Sequence, residues 1–191
     1  IQPRPLSPEQ RKAAFALFEE MVRNGVLSPS TSAFGAPIVM VKKPKGGWRM
    51  ALDFRATTAC LVKQHYPLPR VQDAIDAIGR AQYFTSFDLK SAFWQIENAP
   101  GVSELCAVNF PWEDGTPRKW QFNVMPMGLQ AASATFQRTV DILLMGLQPH
   151  VAISYIDDIL IHSETWEQHM IDVAAVLDRV GGAGFTFNPS K

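Results

Sequence analysis

Two adjacent carboxylates, Asp157 and Asp158, lie between the strand-like segments 151–156 and 159–162, the sequence pattern of a tight β-hairpin whose two-residue turn is Asp157-Asp158. Like charges in so short a turn repel, and neither can pair with the other. A divalent cation removes the conflict. Mg²⁺ takes oxygen ligands from a few carboxylates and from substrate phosphates, and two such ions about 3.5–4 Å apart suit in-line phosphoryl transfer. Asp88, closing the β-rich stretch 83–89, supplies a third acid. Taken singly, Asp157-Asp158 reads as a turn dipeptide and Asp88 as a helix cap. Their surroundings shift the reading: no His or Cys ligand set accompanies them, so a phosphate substrate with magnesium fits better than zinc.

The charge distribution agrees. The 191 residues carry 18 basic and 18 acidic side chains. Residues 42–70 hold Lys42, Lys43, Lys45, Arg49, Arg55, Lys63 and Arg70 against the one acid Asp53, whereas 141–178 hold seven acids and neither Lys nor Arg. One stretch invites phosphate and the other could hold cations, although each alone also reads as a solvated face. At 47% hydrophobic and 19% charged, the chain can bury a core. No signal peptide and no apolar run near the roughly 18 residues of a membrane span is present, so a soluble protein is expected. Cys60 and Cys106 read as ordinary thiols in a reducing compartment. Without an initiator Met, the sequence reads as a piece of something longer.

The elements that must position the acids follow from local signals. Ser7-Pro8-Glu9-Gln10 carries a cap, a first-turn Pro and a capping box, so residues 8–24 form a helix that Asn24-Gly25 stops. Residues 38–41 and 48–55 read as strands joined by a turn at 44–47; the second alternates Trp48, Met50, Leu52 and Phe54 with Arg49, Ala51, Asp53 and Arg55. A short helix around Val71, Ile75 and Ile78 ends at Gly79. A turn or helix runs from Ser91 to Trp94, a second hairpin spans 106–110 and 119–124 through Asp114-Gly115, and a helix covers 130–145. Thr165 caps a last helix that Gly181-Gly182 terminates.

Several segments together resemble one family. Tyr155-Ile156-Asp157-Asp158 is similar to the Tyr-x-Asp-Asp signature of reverse transcriptases, and Phe87-Asp88-Leu89-Lys90-Ser91-Ala92-Phe93 to their first aspartate motif. Val41-Lys42-Lys43-Pro44, Trp48-Arg49-Met50, Asp53-Phe54-Arg55, Tyr66-Pro67-Leu68-Pro69, Met125-Pro126-Met127-Gly128-Leu129 and Ala134-Thr135-Phe136-Gln137-Arg138 resemble, in order and spacing, the Gypsy-type LTR retrotransposon subgroup. The resemblance runs from about Ser7 to Lys191.

It implies an RNA- and DNA-directed DNA polymerase in which Asp88, Asp157 and Asp158, assisted by the carbonyl of Leu89, hold two Mg²⁺ ions, with Mn²⁺ as a substitute. Lys43, Arg49, Ser91, Ala92, Phe93 and Met127 would contact the incoming dNTP, with the ring of Phe93 excluding a ribose 2′-OH. Asp53, Arg55, Gly128, Tyr155 and Ile156 would face template and primer. Read without the family, Lys43 and Arg49 are solvated strand residues, Phe93 a core aromatic and Met127 a gap-filler.

The implied fold is α+β: a ferredoxin-like polymerase palm, an antiparallel sheet backed by helices, with a fingers lobe. Residues 1–85 would be mainly fingers with the N-terminal helix and the first part of the palm, 86–110 palm, 111–130 the junction, and 131–191 palm, stopping before primer grip, thumb and RNase H. The implied partners are an RNA or DNA template with primer, dNTPs and the remainder of a pol polyprotein (thumb, connection, RNase H), without a membrane, in a cytoplasmic virus-like particle or the nucleus. The pattern departs from the family at Thr57, Thr58 and Leu61 and at Met127, Ala131 and Ser133, sparing the three acids. Two other readings stay open. A non-catalytic nucleic-acid-binding module would hold nucleic acid mainly through phosphates, and a metal-dependent nuclease would leave Phe93 and the basic strand unexplained.

Overall fold

The protein is described from a computed structural model covering residues 4–44, 46–62, 66–111 and 117–188. It divides into two compact units, Ile1–Lys63 with Ile96–Ala132, and Gln64–Gln95 with Ser133–Lys191. Residues 96–110 fall with the N-terminal unit, and residues 64–85, where the first part of the palm was expected, fall with the unit that holds the acids.

In the first unit, helix α1 (Pro8–Arg23) starts where the capping signals put it. Ser7 Oγ accepts from the Gln10 N–H, and the Gln10 side chain accepts from the Ser7 N–H. Strands β1 (Leu27–Pro29), β2 (Ala36–Lys42) and β3 (Trp48–Leu52) join β5 (Ala107–Pro111) and β6 (Pro117–Phe122) in a sheet of order β1-β6-β5-β2-β3. All pairings are antiparallel except β2 with β5. The apolar side of α1 closes this core: Phe18 stacks on Phe110 at 4.3 Å and meets the edge of Trp120 at 5.0 Å, an arrangement favoured by the ring quadrupoles. The expected strand 48–55 ends at Leu52. Phe54 turns into the core, 1% exposed, and a short helix α2 (Arg55–Ala59) begins without a side-chain cap, which is why no local signal announced it. Helix α4 (Val102–Leu105) leads into β5. The turn expected at Asp114-Gly115, and Lys45 and Lys63 of the basic run, lie outside the described residues.

The second unit is built on a three-stranded antiparallel sheet, β4 (Tyr83–Asp88), β8 (Asp158–Ser163) and β7 (Ala152–Tyr155), in the order β4-β8-β7. Side chains alternate across it. Thr85, Ser154 and Ser163 face helices α5 (Gln130–Leu143) and α6 (Trp166–Gly182), and Gln137 and His169 bond to them. Phe136 and Val140 of α5, and Val176 and Val180 of α6, are fully buried with Ile159 and Ile161. Thr165 caps α6 by accepting from the Gln168 N–H. Helix α6 ends at Gly182, as expected, and Gly184 beyond it has φ 81°. Helix α3 (Val71–Ile78) ends at Gly79 as expected, yet it buries none of its residues. Among the described residues no helix is long and apolar enough to cross a membrane.

Candidate active site

The strand register of the second unit brings the acids together. Asp88, last in β4, is the direct cross-strand partner of Asp158, first in β8. Asp158 in turn pairs with Tyr155, and the Leu89 N–H donates to the Asp157 carbonyl at 3.1 Å. By the alternation of side chains, Asp88, Asp158 and Tyr155 lie on the sheet face turned away from α5 and α6. The hairpin turn is therefore Ile156-Asp157, not the expected Asp157-Asp158. The reason is pairing: Asp158 already belongs to the ladder of β8, which shifts the two unpaired positions one residue towards the N-terminus.

That turn is conformationally costly. Ile156 has φ 55°, a left-handed backbone that a β-branched residue rarely adopts, at a cost of about 1–3 kcal/mol. A positive φ at the first central position alone is the sign pattern of a type II′ turn, where Gly is usual. A buried side chain supports it: Gln137 of α5 accepts from the Ile156 N–H at 2.7 Å, while its amide NH₂ donates to Asp141 Oδ1 at 2.8 Å and Ser154 Oγ at 2.9 Å. Asp141 Oδ2 accepts from the Tyr66 hydroxyl at 2.7 Å, which raises the pKa of that phenol, chiefly through this bond. Asp141 and Asp172, both from the acidic run, are thus taken up inside the unit; Asp172 accepts from Ser163 Oγ at 2.6 Å and Gln168 Nε2 at 2.8 Å.

Asp88 has a partner that sequence reasoning missed. After α6 the chain returns along the end of β4. Leu89 bridges to Phe187, the Lys90 N–H donates to the Thr186 carbonyl, and the Asn188 N–H donates to the Asp88 carbonyl at 2.8 Å. Asn188 Nδ2 also donates to Asp88 Oδ2 at 3.2 Å. Asn188 stands 100 residues from Asp88, and no local pattern links them. Gln137 was visible as part of the motif at 134–138, but nothing in that motif pointed to the turn.

As a cation site, the arrangement offers only oxygen donors. Among the described residues no three His, Cys, Asp or Glu side chains converge into a ready-made cage. The donor chemistry still suits Mg²⁺, which binds through one or two carboxylates and fills its remaining positions with water and substrate phosphates. Among the described residues, the carboxylates of Asp157 and Asp158 make no hydrogen bond or ion pair within the protein.

The other expected residues are placed as follows. In the second unit Ser91 is exposed with φ 50°, Ala92 is buried, and a 3-10 turn runs over Ala92–Gln95. Phe93 is half-buried with its ring 5.2 Å from that of Phe136, consistent with the core-aromatic reading. In the first unit Lys43 and Arg49 are exposed around the β2–β3 turn. Asp53 is held by Arg55 through two side-chain contacts of 2.8 and 2.7 Å and by Arg4 at 2.7 Å. The hydrogen bonds from Arg55, with the nearby charge of Arg4, hold its carboxyl well below the usual range. Met127 is 52% exposed, so it fills no core gap. Gly128 has φ 99°, and a Cβ there would meet the Leu52 carbonyl at 3.1 Å. Gly128 lines a groove of about 390 Å³ with Arg55, Thr58, Ala59, Leu61 and Gln130, so two of the three departures near Arg55 shape its wall.

Comparison with known proteins gives a consistent picture. Residues 41–191 match the family described as reverse transcriptase (RNA-dependent DNA polymerase). The chain is 32% identical over 162 residues to the retrovirus-related Pol polyprotein from transposon 412 of Drosophila melanogaster, covering 82% of this chain and 13% of that protein. It is 33% identical over 178 residues to that from transposon opus of the same organism, covering 91% and 17%. Among solved structures, prototype foamy virus protease-reverse transcriptase superposes with a TM-score of 0.85 at 24% identity, over 98% of this chain and 24% of that one. The foamy viral protease-reverse transcriptase dRH in complex with double-stranded DNA superposes at 0.79 with 25% identity, over 98% and 32%. The fold is thus a mixed α/β arrangement of antiparallel sheet and flanking helices that matches the palm and fingers of reverse transcriptases.

Proposed function

The chain belongs to the reverse transcriptase (RNA-dependent DNA polymerase) family, and from that premise we propose that it is the nucleotidyl-transfer core of a retroelement polymerase of the Gypsy-type LTR subgroup. It extends a primer 3′-hydroxyl with dNTPs on an RNA or DNA template. The chain spans between about an eighth and a sixth of the two Drosophila polyproteins, so the thumb, connection and RNase H of a pol polyprotein are assigned as its partners, and a virus-like particle as its place of action.

The observation that carries this reading is the cross-strand pair Asp88 and Asp158, with Asp157 tied to Leu89 through the backbone. A stable sheet gains nothing from like charges set directly opposite each other on neighbouring strands; a site that must hold cations does. Asp88, Asp157, Asp158 and the Leu89 carbonyl would hold two Mg²⁺ ions, or Mn²⁺ in their place. When bound, these ions lower the pKa of the primer hydroxyl and stabilise the departing pyrophosphate. The aspartates orient the reacting groups, and no side chain need serve as base. Lys43 as a point charge and Arg49 through its fork are assigned to the triphosphate, with Ser91, Ala92 and Met127 beside the nucleotide and Phe93 against the 2′ position. Asp53, Arg55, Gly128, Tyr155 and Ile156 are assigned to template and primer.

The test is primer extension on RNA and DNA templates with dNTPs and Mg²⁺, using the 191-residue chain, its Asp157→Asn variant and a longer chain continued through the thumb. Extension that requires Asp157 supports the polymerase. No extension by either length moves the assignment to a nucleic-acid-binding module without catalysis.

A further inference from the structure

The side chain of Gln137 is buried completely and has no part in the chemistry assigned above, yet it makes a hydrogen bond to the one strained residue of the catalytic turn. We propose that Gln137 is a positioning residue: its carboxamide holds Ile156 in the left-handed conformation, and so fixes where the chain delivers Asp157 and Asp158. The inference rests on the polymerase reading of those acids.

The argument begins with what the turn lacks. Gly would adopt φ 55° at no steric cost, and Ile does not. The conformation persists only if something outside the turn over-determines it. The Ile156 N–H is met by Gln137 Oε1 at 2.7 Å, and the carboxamide cannot turn over to escape. Its NH₂ is committed to the Asp141 carboxylate and to Ser154 Oγ. Ser154 Oγ donates to Asp141 Oδ1 at 3.1 Å and accepts from Gln148 Nε2 at 2.9 Å. Asp141 is anchored again by the Tyr66 hydroxyl. A flipped amide would set NH₂ against N–H and carbonyl against carboxylate, which the donor and acceptor inventory forbids.

The position therefore needs one acceptor and two donors on a single planar group at the reach of a glutamine. Asn is a methylene short, Glu would face Asp141 with a second carboxylate, and Met matches the length with neither function. Ser154 ties the same network to β7, one residue before Tyr155. A shift of the carboxamide is thus transmitted to both sides of the turn, and through the Leu89–Asp157 backbone bond to the end of β4.

The experiment combines amide hydrogen exchange on the ¹⁵N-labelled chain with Mg²⁺-dependent primer extension, for wild type, Gln137→Met, Ile156→Gly and the double variant. Gln137→Met is expected to speed exchange at Ile156 roughly 10- to 100-fold, the loss of one buried hydrogen bond, while the amides of Ile159 and Ile161 keep their rates. Its kcat should fall about 100-fold, as for a reacting group misplaced by about 1 Å, with KM for dNTP changed less than about twofold because no nucleotide contact is removed. In the Ile156→Gly background the same substitution should cost under about threefold, since Gly needs no support to hold the turn. If Gln137→Met folds only in that background, the rescue supports the proposal as well. Unchanged exchange at Ile156, an equal loss of kcat in both backgrounds, or failure of both to fold would reduce Gln137 to an ordinary core residue. The exchange arm is independent of catalysis: a wild-type chain that adds no nucleotide even when continued through the thumb sinks the polymerase reading, and the exchange rates then still uphold or overturn the bracing.

Discussion

Asp158→Asn should make the protein more stable and stop it working. Asp88 and Asp158 are direct cross-strand partners, which places their Cα atoms about 4.5–5.5 Å apart and both carboxylates on one face. Two unit charges about 6 Å apart repel by about 0.7 kcal/mol in the dielectric of water. Cross-strand pairs as a class are worth about 0.2–1 kcal/mol. The water value applies because Asp158 is exposed, and Asp157 adds a second repulsion of the same sign. Replacing one carboxylate by its isosteric amide should therefore raise stability by about 0.5–1 kcal/mol, or Tm by about 1–4 °C for a chain of this size. Scanning calorimetry without divalent cations at low salt reads the gain, and repetition at about 1 M salt should shrink it, because screening then acts within about 3 Å. Added Mg²⁺ should raise the Tm of wild type and leave the variant unmoved, and primer extension should vanish. A variant that loses Tm, or still extends primers, would refute the reasoning that these acids are kept opposed for cation binding rather than for the fold.

Three further outcomes follow from the geometry. Gly128→Ala must place a Cβ 3.1 Å from the Leu52 carbonyl at φ 99°, so urea unfolding should show a loss of about 1–3 kcal/mol; an unchanged midpoint would mean that the turn relaxes freely. Cys106 is fully buried and burial pushes its pKa up to about 11, whereas Cys60 is exposed; a thiol reagent at pH 7.5 should titrate one cysteine in the native protein and two in denaturant. Asp53 has a folded pKa below its ordinary 3.8, so its stabilisation is complete well above that value and is lost as pH falls through the folded pKa. The Tm difference between wild type and Asp53→Asn should accordingly be constant from about pH 5 upward and close towards zero in stronger acid, and a difference that widens there would show that the Arg4 and Arg55 contacts are not what holds the carboxylate.

How far the molecule could be read in advance depended on the range of each interaction. α1 and α6 were legible because Ser7 with Gln10, and Thr165 with Gln168, announce their own caps within four residues. The end of β3 at Leu52 was not: the alternation continues through Phe54 and Arg55, and only the burial of Phe54 in the first unit's core stops the strand and starts α2. Helix α3 was expected from Val71, Ile75 and Ile78, yet Val71 is 71% and Ile75 55% exposed, since periodicity reports an amphipathic face and cannot say what covers it. The separation of Asp157 and Asp158 from Asp141 and Asp172 was likewise hidden. All four belong to one acidic run, and only their tertiary partners, Tyr66 and Gln137 for Asp141, Ser163 and Gln168 for Asp172, set two of them apart.

Local signals in the sequence were enough for helices α1, α3, α5 and α6 and for the strands that carry the acids, and the order and spacing of the motifs for the family. Those properties reside in local propensity and in residue type. The tertiary structure alone decided that Asp158 is a strand residue facing Asp88, that the turn is Ile156-Asp157, that Gln137 accepts from the Ile156 N–H, and that Asn188 bonds to Asp88. Register and side-chain networks join residues up to 100 positions apart, and a pairing of that range is set by which faces are buried, a property no single segment carries.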